Sequence, residues 1–347
     1  MSTIGQRIKL SRKARGYSLR DLADQVEVSA QAISKYERDL DMPSSTILAR
    51  LAEKLNVEIN FFFRSEEPPI IQPSYRRNPS RIKTDEQISA QLQAWLERYR
   101  AVENFFQPDS LPVFTYPQGF PLSVSNWNEI EIAATQLRAA WDIGDTAINN
   151  LVELFEDKGI KIGSVTGTPD FDACIFIDEA KTPFIVFKSG STGDRQRFSL
   201  AHELGHLMLE IEHLNEEDAC HRFAAAFLIP SSAAYYELGE HRHQIDPVEL
   251  HALKHKYGVS MQVWLYRARD LEILTEARFQ THILTFKKHG WQRHEPGDAL
   301  TSENPNRIVR LISRLLAENI ISESRAAELL GLSLTDYLQQ REALYVG

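Results

Sequence analysis

The chain has 347 residues, of which 43% are hydrophobic and 25% are charged, a composition that fits a soluble globular protein of two to three domains. The net charge of −9 is unevenly distributed: residues 1–65 hold 11 Lys and Arg against 8 Asp and Glu, whereas the remainder holds 28 against 40. A mildly basic N-terminal part ahead of an acidic remainder favours nucleic-acid contact confined to the N-terminus.

Cysteine usage and hydropathy together predict a cytoplasmic protein. Cys174 and Cys220 are the two cysteines of the sequence; they suggest no disulfide framework and favour a reducing compartment. Residues 1–10 lack the apolar stretch of a secretory signal peptide, and no run of about 18 apolar residues predicts a membrane span. We therefore expect a cytoplasmic location and no membrane contact.

Residues 1–63 predict a compact set of four short helices. Gly16 can end the first helix after Arg15, and Ser18 with Asp21 forms a variant of the capping box for the second. Ser29 can cap a third helix, and a fourth begins near the Pro-Ser-Ser sequence at residues 43–45. Apolar residues at helical spacing predict the shared core of these helices.

Four further segments are predicted by composition and periodicity. Prolines and basic residues indicate a linker over 64–83, and a connector with one helix and an irregular part follows over 84–127. Residues 128–277 mix helices with short strands, including Phe184–Phe187. Residues 278–347 are mostly helical, with a weak β pattern over Thr281–Lys287 and helices predicted over Asn306–Ala317, Glu323–Leu330 and Leu334–Leu344.

The sequence His202-Glu203-Leu204-Gly205-His206 is an HExxH motif within a predicted helix from about Arg195 to Glu210. Residues four apart lie one turn apart on one helical face, so both imidazoles can reach one zinc ion at about 2.0–2.1 Å. Glu203 can act as general base on a water at that ion. The motif predicts hydrolysis, most often of a peptide bond.

Zinc needs a third protein ligand, and the next predicted helix offers several. Its candidates are Glu216, Glu217, Asp218 and His221. The glycine and third histidine of the metzincin pattern are missing, so a glutamate on a separate downstream helix, the gluzincin arrangement, fits better. Spacing alone leaves open which glutamate it is.

Several separated motifs between about 129 and 270 occur in one order. They are the segments 134–144, 148–151 and 154–160, then Arg197-Phe198-Ser199-Leu200-Ala201 leading into the HExxH motif, and finally Glu217 to Pro230 with the run Arg222-Phe223-Ala224-Ala225-Ala226-Phe227. This region resembles the ImmA/IrrE family of zinc metallopeptidases. The resemblance implies that Zn²⁺ is bound by His202, His206 and Glu217, and that Glu203 activates the water.

Other polar residues near these motifs are candidates for supporting roles. His221 lies one turn beyond Glu217, and Tyr235 and Tyr236 could assist the reaction as tyrosines do in related peptidases. The ordinary alternatives are a surface histidine and two packing residues. The strand Phe184–Lys188 could be a sheet edge that binds an extended substrate, or an ordinary protected edge.

Residues 4–60 resemble the xenobiotic-response-element (XRE) type of helix-turn-helix, the lambda-repressor-like fold. The pattern comprises Ser18-Leu19, Leu22-Ala23, Val28-Ser29, Ile33-Ser34, Tyr36-Glu37, Pro43-Ser44 and Leu51-Ala52. Glu27 and Asp39 replace two glycines usual in this family, and positive φ angles suit Asp better than Glu.

The resemblance implies base contacts from the N-terminal side of the third helix. The predicted DNA-binding residues are Ser29, Gln31, Ser34 and Lys35, with Arg12 and Arg38 at phosphates.

We thus predict a multidomain protein: an all-α lambda-repressor-like helix-turn-helix head, an α+β gluzincin-like metallopeptidase domain over 128–277, and a small, mostly helical C-terminal region. The predicted function is a regulator that binds a double-stranded DNA operator as a homodimer. It would cleave a helix-turn-helix repressor or antitoxin-like partner, or itself. The alternative is a transcription factor whose peptidase-like domain serves only as a sensor or dimerisation platform.

Overall fold

The computed structural model describes residues 3–57, 59–63, 86–166, 171–178 and 180–346. The linker predicted over 64–83 lies outside these ranges. Along the described chain the elements form a helical head, a central α/β body and a C-terminal group of helices, which confirms the predicted fold class. Among the described helices, none combines the length and apolar character needed to cross a membrane.

The head consists of α1 (Ile4–Ala14), α2 (Leu19–Val26), α3 (Ala30–Glu37) and α4 (Ser45–Leu55), followed by a 3₁₀ helix over Ile59–Phe63. The predicted caps are confirmed, because the hydroxyls of Ser18 and Ser29 accept backbone N–H groups at the starts of α2 and α3. The head has its own core, which is formed by Ile8, Leu22, Val26, Ile33, Leu48, Leu51, Leu55 and Phe62.

Helix α5 (Glu86–Glu103) connects the head to the C-terminal helices. One side contacts α1 of the head, and the other packs against the C-terminal helices α14 (Arg307–Ala317) and α15 (Glu323–Leu330), while α16 (Leu334–Val346) packs against α15. The three C-terminal helices were predicted with nearly these bounds. Their apolar faces are buried on α5 around Tyr99, Val102, Ile312 and Leu315, so the connector and the chain end share one small core.

The body contains a three-stranded sheet of β2 (Lys161–Val165), β3 (Ala173–Ile177) and β4 (Pro183–Lys188) in the order β2-β4-β3. Strand β4 pairs in parallel with β2 and antiparallel with β3, so Ile185 lies opposite both Ile162 and Ile175. The hypothesis that Phe184–Lys188 forms a sheet edge is therefore wrong, since both of its hydrogen-bonding sides are occupied. The outer strands of the described sheet are β2 and β3.

Helices α6 (Trp127–Ala140), α7 (Leu151–Asp157), α8 (Gly193–Met208) and α9 (Glu216–Leu228) contribute to one large apolar core, which also includes Ile162, Ile175 and Ile185 of this sheet. A second, two-stranded sheet pairs β1 (Leu122–Val124) in parallel with β5 (Leu209–Ile211). Because β5 follows α8 directly, the helix that carries the HExxH motif ends at Met208, two residues before the predicted end.

The remaining helices are α10 (Ser231–Leu238), α11 (Pro247–Tyr257), α12 (Met261–Asp270) and α13 (Glu276–His289). The β pattern predicted over Thr281–Lys287 is wrong, because this segment lies within α13. Phe279 and Phe286 of α13 are buried in the core of the body. The predicted division between 277 and 278 thus falls inside a helix that packs with the preceding domain.

Candidate functional site

Helix α8 carries both motif histidines on the same side. The Nε2 atoms of His202 and His206 lie 3.1 Å apart, and the two rings are nearly perpendicular, with their centroids 4.8 Å apart. Glu203, between them in sequence, is 2% exposed and lies in the same helical turn as His202. The helix therefore brings two imidazole nitrogens together and holds a buried carboxylate next to them.

Helix α9 crosses close to α8 and brings the third donor. Gly205 allows the approach, because a Cβ atom at this position would lie 3.1 Å from the Phe223 ring and 3.3 Å from the Cα of Cys220. In the first turn of α9, Glu217 Oε2 lies 3.4 Å from His202 Nε2. Because Gly205 has no side chain, α9 can lie close to α8, and Glu217 can reach the two histidines.

The three donor groups have the chemistry and the spacing of a zinc site. One donor atom each from His202, His206 and Glu217 falls within a mutual distance of 4.8 Å. Two ligands about 2.0–2.1 Å from a tetrahedral zinc ion lie about 3.3 Å apart, close to the 3.1 and 3.4 Å measured here. Two histidines and a glutamate leave one tetrahedral position open, as in catalytic rather than structural zinc sites.

Glu216 has a supporting position that the sequence analysis did not assign. Its Oε1 lies 3.1 Å from Nδ1 of His206, the ring nitrogen opposite the one that faces His202. A proton shared there fixes the tautomer that leaves Nε2 with its lone pair for a metal. From the sequence, Glu216 and Glu217 were both candidates for the third ligand. In the structure Glu217 belongs to the donor cluster, whereas Glu216 contacts the far side of the His206 ring and orients it.

The predicted supporting residues have different surroundings. The ring of His221 lies 4.5 Å from the ring of His202 and stacks at 5.8 Å on Phe198, so it borders the cluster. Tyr235 donates its hydroxyl to the carbonyl of Leu271 at 3.2 Å, and Tyr236 is 84% exposed. The structure thus brings His221 next to the donor cluster, whereas the one described hydrogen bond of Tyr235 points elsewhere.

A partly buried ion-pair network connects α9, which carries Glu217, to two other helices. Both Nη atoms of Arg267 donate to the carboxylate of Glu131, at 2.6 and 2.7 Å, and Arg267 is fully buried. Arg222 of α9 donates to the same carboxylate at 3.0 Å. These contacts link α6, α9 and α12, and sequence periodicity gave no signal for them because the partners are far apart along the chain.

The second predicted site is the outward face of the head. Glu27 and Asp39, which stand where the resembling family has glycine, have φ angles of 58° and 56°, so both turns keep the left-handed conformation. Gln31, Lys35 and Arg38 are exposed on or just after α3, and the head contacts α5 through α1 instead. Ser34 is half-buried, and the hydroxyl of Ser29, itself exposed, caps α3.

Arg12 occupies a structural position instead of a surface one. Its Nε donates to Glu37 Oε1 at 2.5 Å, and its Nη1 donates to the carbonyl of Tyr17 at 2.6 Å. The residue is 9% exposed and ties α1 to the end of α3. This geometry does not favour the expectation that Arg12 contacts phosphate, because Nε, Nη1 and Nη2 each donate to a partner within the head.

Two family models match the chain. The model described as Helix-turn-helix matches residues 8–62, and the model described as IrrE N-terminal-like domain matches residues 156–269. The matches cover the head and the part of the body that contains the donor cluster.

Curated relatives match the head. The uncharacterized HTH-type transcriptional regulator RP497 of Rickettsia prowazekii (strain Madrid E) is 38% identical over 66 residues, which are 19% of this chain and 51% of the relative. The HTH-type transcriptional regulator SinR of Bacillus licheniformis is 37% identical over 65 residues, which are 18% of this chain and 59% of the relative. The chain thus spans somewhat more than half the length of these curated relatives.

Similar solved structures include ComR from S. thermophilus in complex with DNA and its signalling peptide ComS, at 13% identity and a TM-score of 0.19, covering 95% of this chain and 99% of that one. Bacillus thuringiensis PlcR in complex with the peptide PapR7 and DNA gives 13% identity and a TM-score of 0.18, covering 86% and 100%. Such low scores carry no argument about fold or function. The family models thus match a helix-turn-helix domain at the N-terminus and an IrrE N-terminal-like domain downstream of it, and the curated relatives of the head are HTH-type transcriptional regulators.

Proposed function

We propose that the protein is a DNA-binding transcriptional regulator that carries a zinc-dependent endopeptidase. Its substrate is a helix-turn-helix repressor or an antitoxin-like partner, or the chain itself. The observation that carries this proposal is the convergence of His202, His206 and Glu217, with donor atoms within 4.8 Å of one another, beside the buried carboxylate of Glu203. A solely structural metal site would not need a buried carboxylate between its two histidines.

The proposed chemistry assigns a role to each of these residues. Zinc held by the three ligands would supply a Lewis acid that polarises the scissile carbonyl and acidifies water. Glu203 takes a proton from the attacking water as the carbon–oxygen bond forms, and passes it to the leaving amine as the carbon–nitrogen bond breaks. His206 is held in one orientation by Glu216, which keeps Nε2 directed at the cluster.

An extended substrate segment needs backbone partners near these residues. Strand β3 is an outer strand of the described sheet, runs antiparallel to β4 and packs against α8. We propose that β3, in place of the strand first considered, offers its outer backbone groups to the substrate. The sheet order excludes β4, which has no unpaired side, and the packing of β3 against the helix that carries the HExxH motif favours β3 over β2.

The head supplies the proposed second activity. The exposed side chains of Gln31, Lys35 and Arg38 form one surface that the body leaves uncovered. Helices of this type enter the major groove with their N-terminal residues, and dimers bind two half-sites about one helical turn apart. We therefore propose that a homodimer binds a double-stranded DNA operator through α3, with Ser29 and Ser34 at the margin of the contact.

The test is to mix zinc-loaded protein, and separately its Glu203→Gln variant, with the helix-turn-helix repressors encoded beside it, and to record intact masses. A discrete cut by the wild type, slowed about 10²–10⁴-fold in the variant, is the expected result. Equal behaviour of the two proteins in both this assay and a reporter assay would refute proteolysis and support the sensor or dimerisation alternative.

Self-cleavage is tested in the same samples. The intact mass of the zinc-loaded chain is followed alone and in a mixture with an excess of ¹⁵N-labelled Glu203→Gln protein, whose isotope label separates the two otherwise nearly equal masses. Loss of the variant's intact mass in the mixture alone indicates cleavage between chains. A wild-type chain that stays intact for hours with zinc would leave only the separate partner as substrate.

A further inference from the structure

A cleft of about 870 Å³ adjoins the donor cluster on the side of α9 that faces α12. Its wall at the cluster is formed by Asp218, the neighbour of Glu217 in sequence, and by His221, whose ring contacts that of His202. Phe198, which stacks on His221, continues the wall along α8. The volume falls in the range of sites that take a ligand or a few side chains, and its position places the occupant next to the proposed reaction.

Exposed aromatic side chains line the outer part of this cleft. Trp127 at the start of α6 is 42% exposed, and Tyr266 of α12 is 38% exposed. Large aromatic groups that stay partly exposed within a concave surface indicate a site that buries an apolar group of a partner. Phe198, which stacks on His221, adds a third ring to the lining. The cleft therefore offers an aromatic surface for one large side chain.

The two arginines of the cleft are already engaged. Arg222 donates to Glu131 at 3.0 Å and to the carbonyl of Asp270 at 2.9 Å. Arg269 donates to Asp270 Oδ1 at 2.7 Å, and its guanidinium lies 4.9 Å from the ring centre of Tyr266. Because carboxylates of the protein compensate both cations, the cleft does not favour an anionic occupant.

Three other carboxylates of the cleft differ from these in forming no salt bridge within the part of the chain that the structure describes. Asp218, Glu272 and Glu276 line the cleft and are exposed. Within the described ranges no lysine, arginine or histidine forms a salt bridge with any of them, although Glu276 accepts a hydrogen bond from Gln280. Carboxylates without a salt-bridge partner in an aromatic cleft complement a cationic group. Aromatic residues alone would accept any apolar side chain, so the acids supply the selectivity.

We propose that this cleft is a substrate subsite that selects an extended peptide segment in which an aromatic residue lies next to arginine or lysine. The proposal rests on the proposed endopeptidase function, since it names the substrate class of the same site. The aromatic side chain packs among Trp127, Tyr266 and Phe198, and the cationic side chains face Glu272, Glu276 and Asp218. The chain itself contains such a sequence, Tyr75-Arg76-Arg77, which provides a probe.

Binding is measured by fluorescence anisotropy with full-length, zinc-loaded Glu203→Gln protein, so that cleavage does not consume the probe. One labelled peptide carries residues 70–83, and a second carries the same sequence with Arg76→Glu and Arg77→Glu. The expected result is at least about tenfold tighter binding of the basic peptide at low salt, with the difference shrinking as salt is added. Equal affinities for the two peptides, or binding of neither, would overturn the subsite.

A Glu272→Gln/Glu276→Gln pair added to this protein is expected to remove most of the preference. Its matched control is Glu318→Gln/Glu342→Gln, which changes the net charge equally at exposed positions of the C-terminal helices. Trp127→Ala is expected to weaken both peptides about equally, because it removes aromatic contact and no charge. The ratio of the two affinities within one variant separates selectivity from a loss of folded protein.

The results also separate the subsite from the proposed function. If the basic peptide is preferred and the cleft variants lose the preference, but the wild type cuts nothing, the subsite stands and proteolysis fails. If the wild type cuts a partner, and the Glu272→Gln/Glu276→Gln protein keeps the full preference for the basic peptide, proteolysis stands and the subsite fails.

Discussion

Nη1 of Arg7 donates to both carboxylate oxygens of Glu97, at 2.7 and 2.6 Å, and joins the head to α5 across 90 positions of sequence. Arg7 is fully buried and its guanidinium lies 5.0 Å from the ring centre of Phe61, while the side chain of Glu97 is 7% exposed. A buried ion pair of this kind fixes the position of the head on α5, because separating the two residues would leave a charge held away from water.

Removal of the carboxylate should therefore destabilise the protein strongly. Glu97→Ala removes a carboxylate that compensates the charge of the buried Arg7 guanidinium, and we expect the free energy of unfolding to fall by about 3–5 kcal/mol. The control is Glu153→Ala, which removes an exposed pair with Arg310 at 3.4 Å and should cost at most about 1 kcal/mol. Calorimetric unfolding of both variants is the measurement; similar shifts for the two would contradict a special role of the buried pair.

Zinc should stabilise the folded chain through the donor cluster. At a free concentration of 100 times the dissociation constant, we expect a gain of about 2.7 kcal/mol for the wild type and for Glu203→Gln. His206→Ala and Glu217→Ala should lose most of this gain, because two donors hold the ion less tightly than three. Thermal unfolding with and without zinc, together with metal content by mass spectrometry, measures the effect.

The control for this prediction is His255→Ala. His251 and His255 repeat the four-residue spacing on α11, with Nε2 atoms 3.3 Å apart. The described residues place no carboxylate with them in a group of three donors. His255→Ala should therefore keep one zinc per chain and the full shift in melting temperature. An equal loss in His255→Ala and His206→Ala would show that paired histidines alone account for the binding.

Local signals were predictable from the sequence. Ser18 with Asp21 and Ser29 cap their helices as expected, and Glu27 takes the left-handed turn that a glycine usually occupies. The spacing of His202 and His206 on α8 likewise follows from the helix period. Each of these features depends on residues within one turn or one cap, where propensity and periodicity are informative.

Long-range features were not predictable in the same way. The order of strands in the sheet decides whether Phe184–Lys188 is an edge, and no local pattern contains that order. Thr281, Ile283 and Thr285 alternate like a strand, but Phe279, Ile283 and Phe286 recur at helical spacing and pack on the core. The threonine hydroxyls donate to carbonyls four residues back, which a helix accommodates.

The stability of the protein should depend on the ionisation of Glu156. Burial raises the pKa of this carboxyl to about 7 from 4.5, although backbone N–H of Arg307 at the start of α14 donates to both of its oxygens, at 3.3 and 3.2 Å. The folded state then holds more protons than the unfolded state between pH 4.5 and 7. The contribution of this group to the free energy of unfolding is therefore highest below pH 4.5 and falls, by about 3 kcal/mol, as the pH rises through 7.

Glu156→Gln keeps the shape and an oxygen acceptor without the charge, so it should remove most of this pH dependence. Glu153→Gln, an exposed glutamate on the same helix, is the control and should keep the wild-type dependence. Urea denaturation at several pH values, with a chelator present so that zinc does not contribute, measures both. A wild-type dependence that persists in Glu156→Gln would assign it to another group.

DNA binding should separate Lys35 from Arg12. Lys35 is exposed on α3, so Lys35→Ala should weaken binding to a duplex selected from a random pool and should lower the slope of log affinity against log salt by about one. Arg12 is tied to Glu37 and Tyr17, so Arg12→Ala should lower the melting temperature of the head and leave that slope unchanged, once affinities refer to folded protein. Equal changes of slope in the two variants would place Arg12 at a phosphate after all, and would require its ion pair with Glu37 to open when DNA binds.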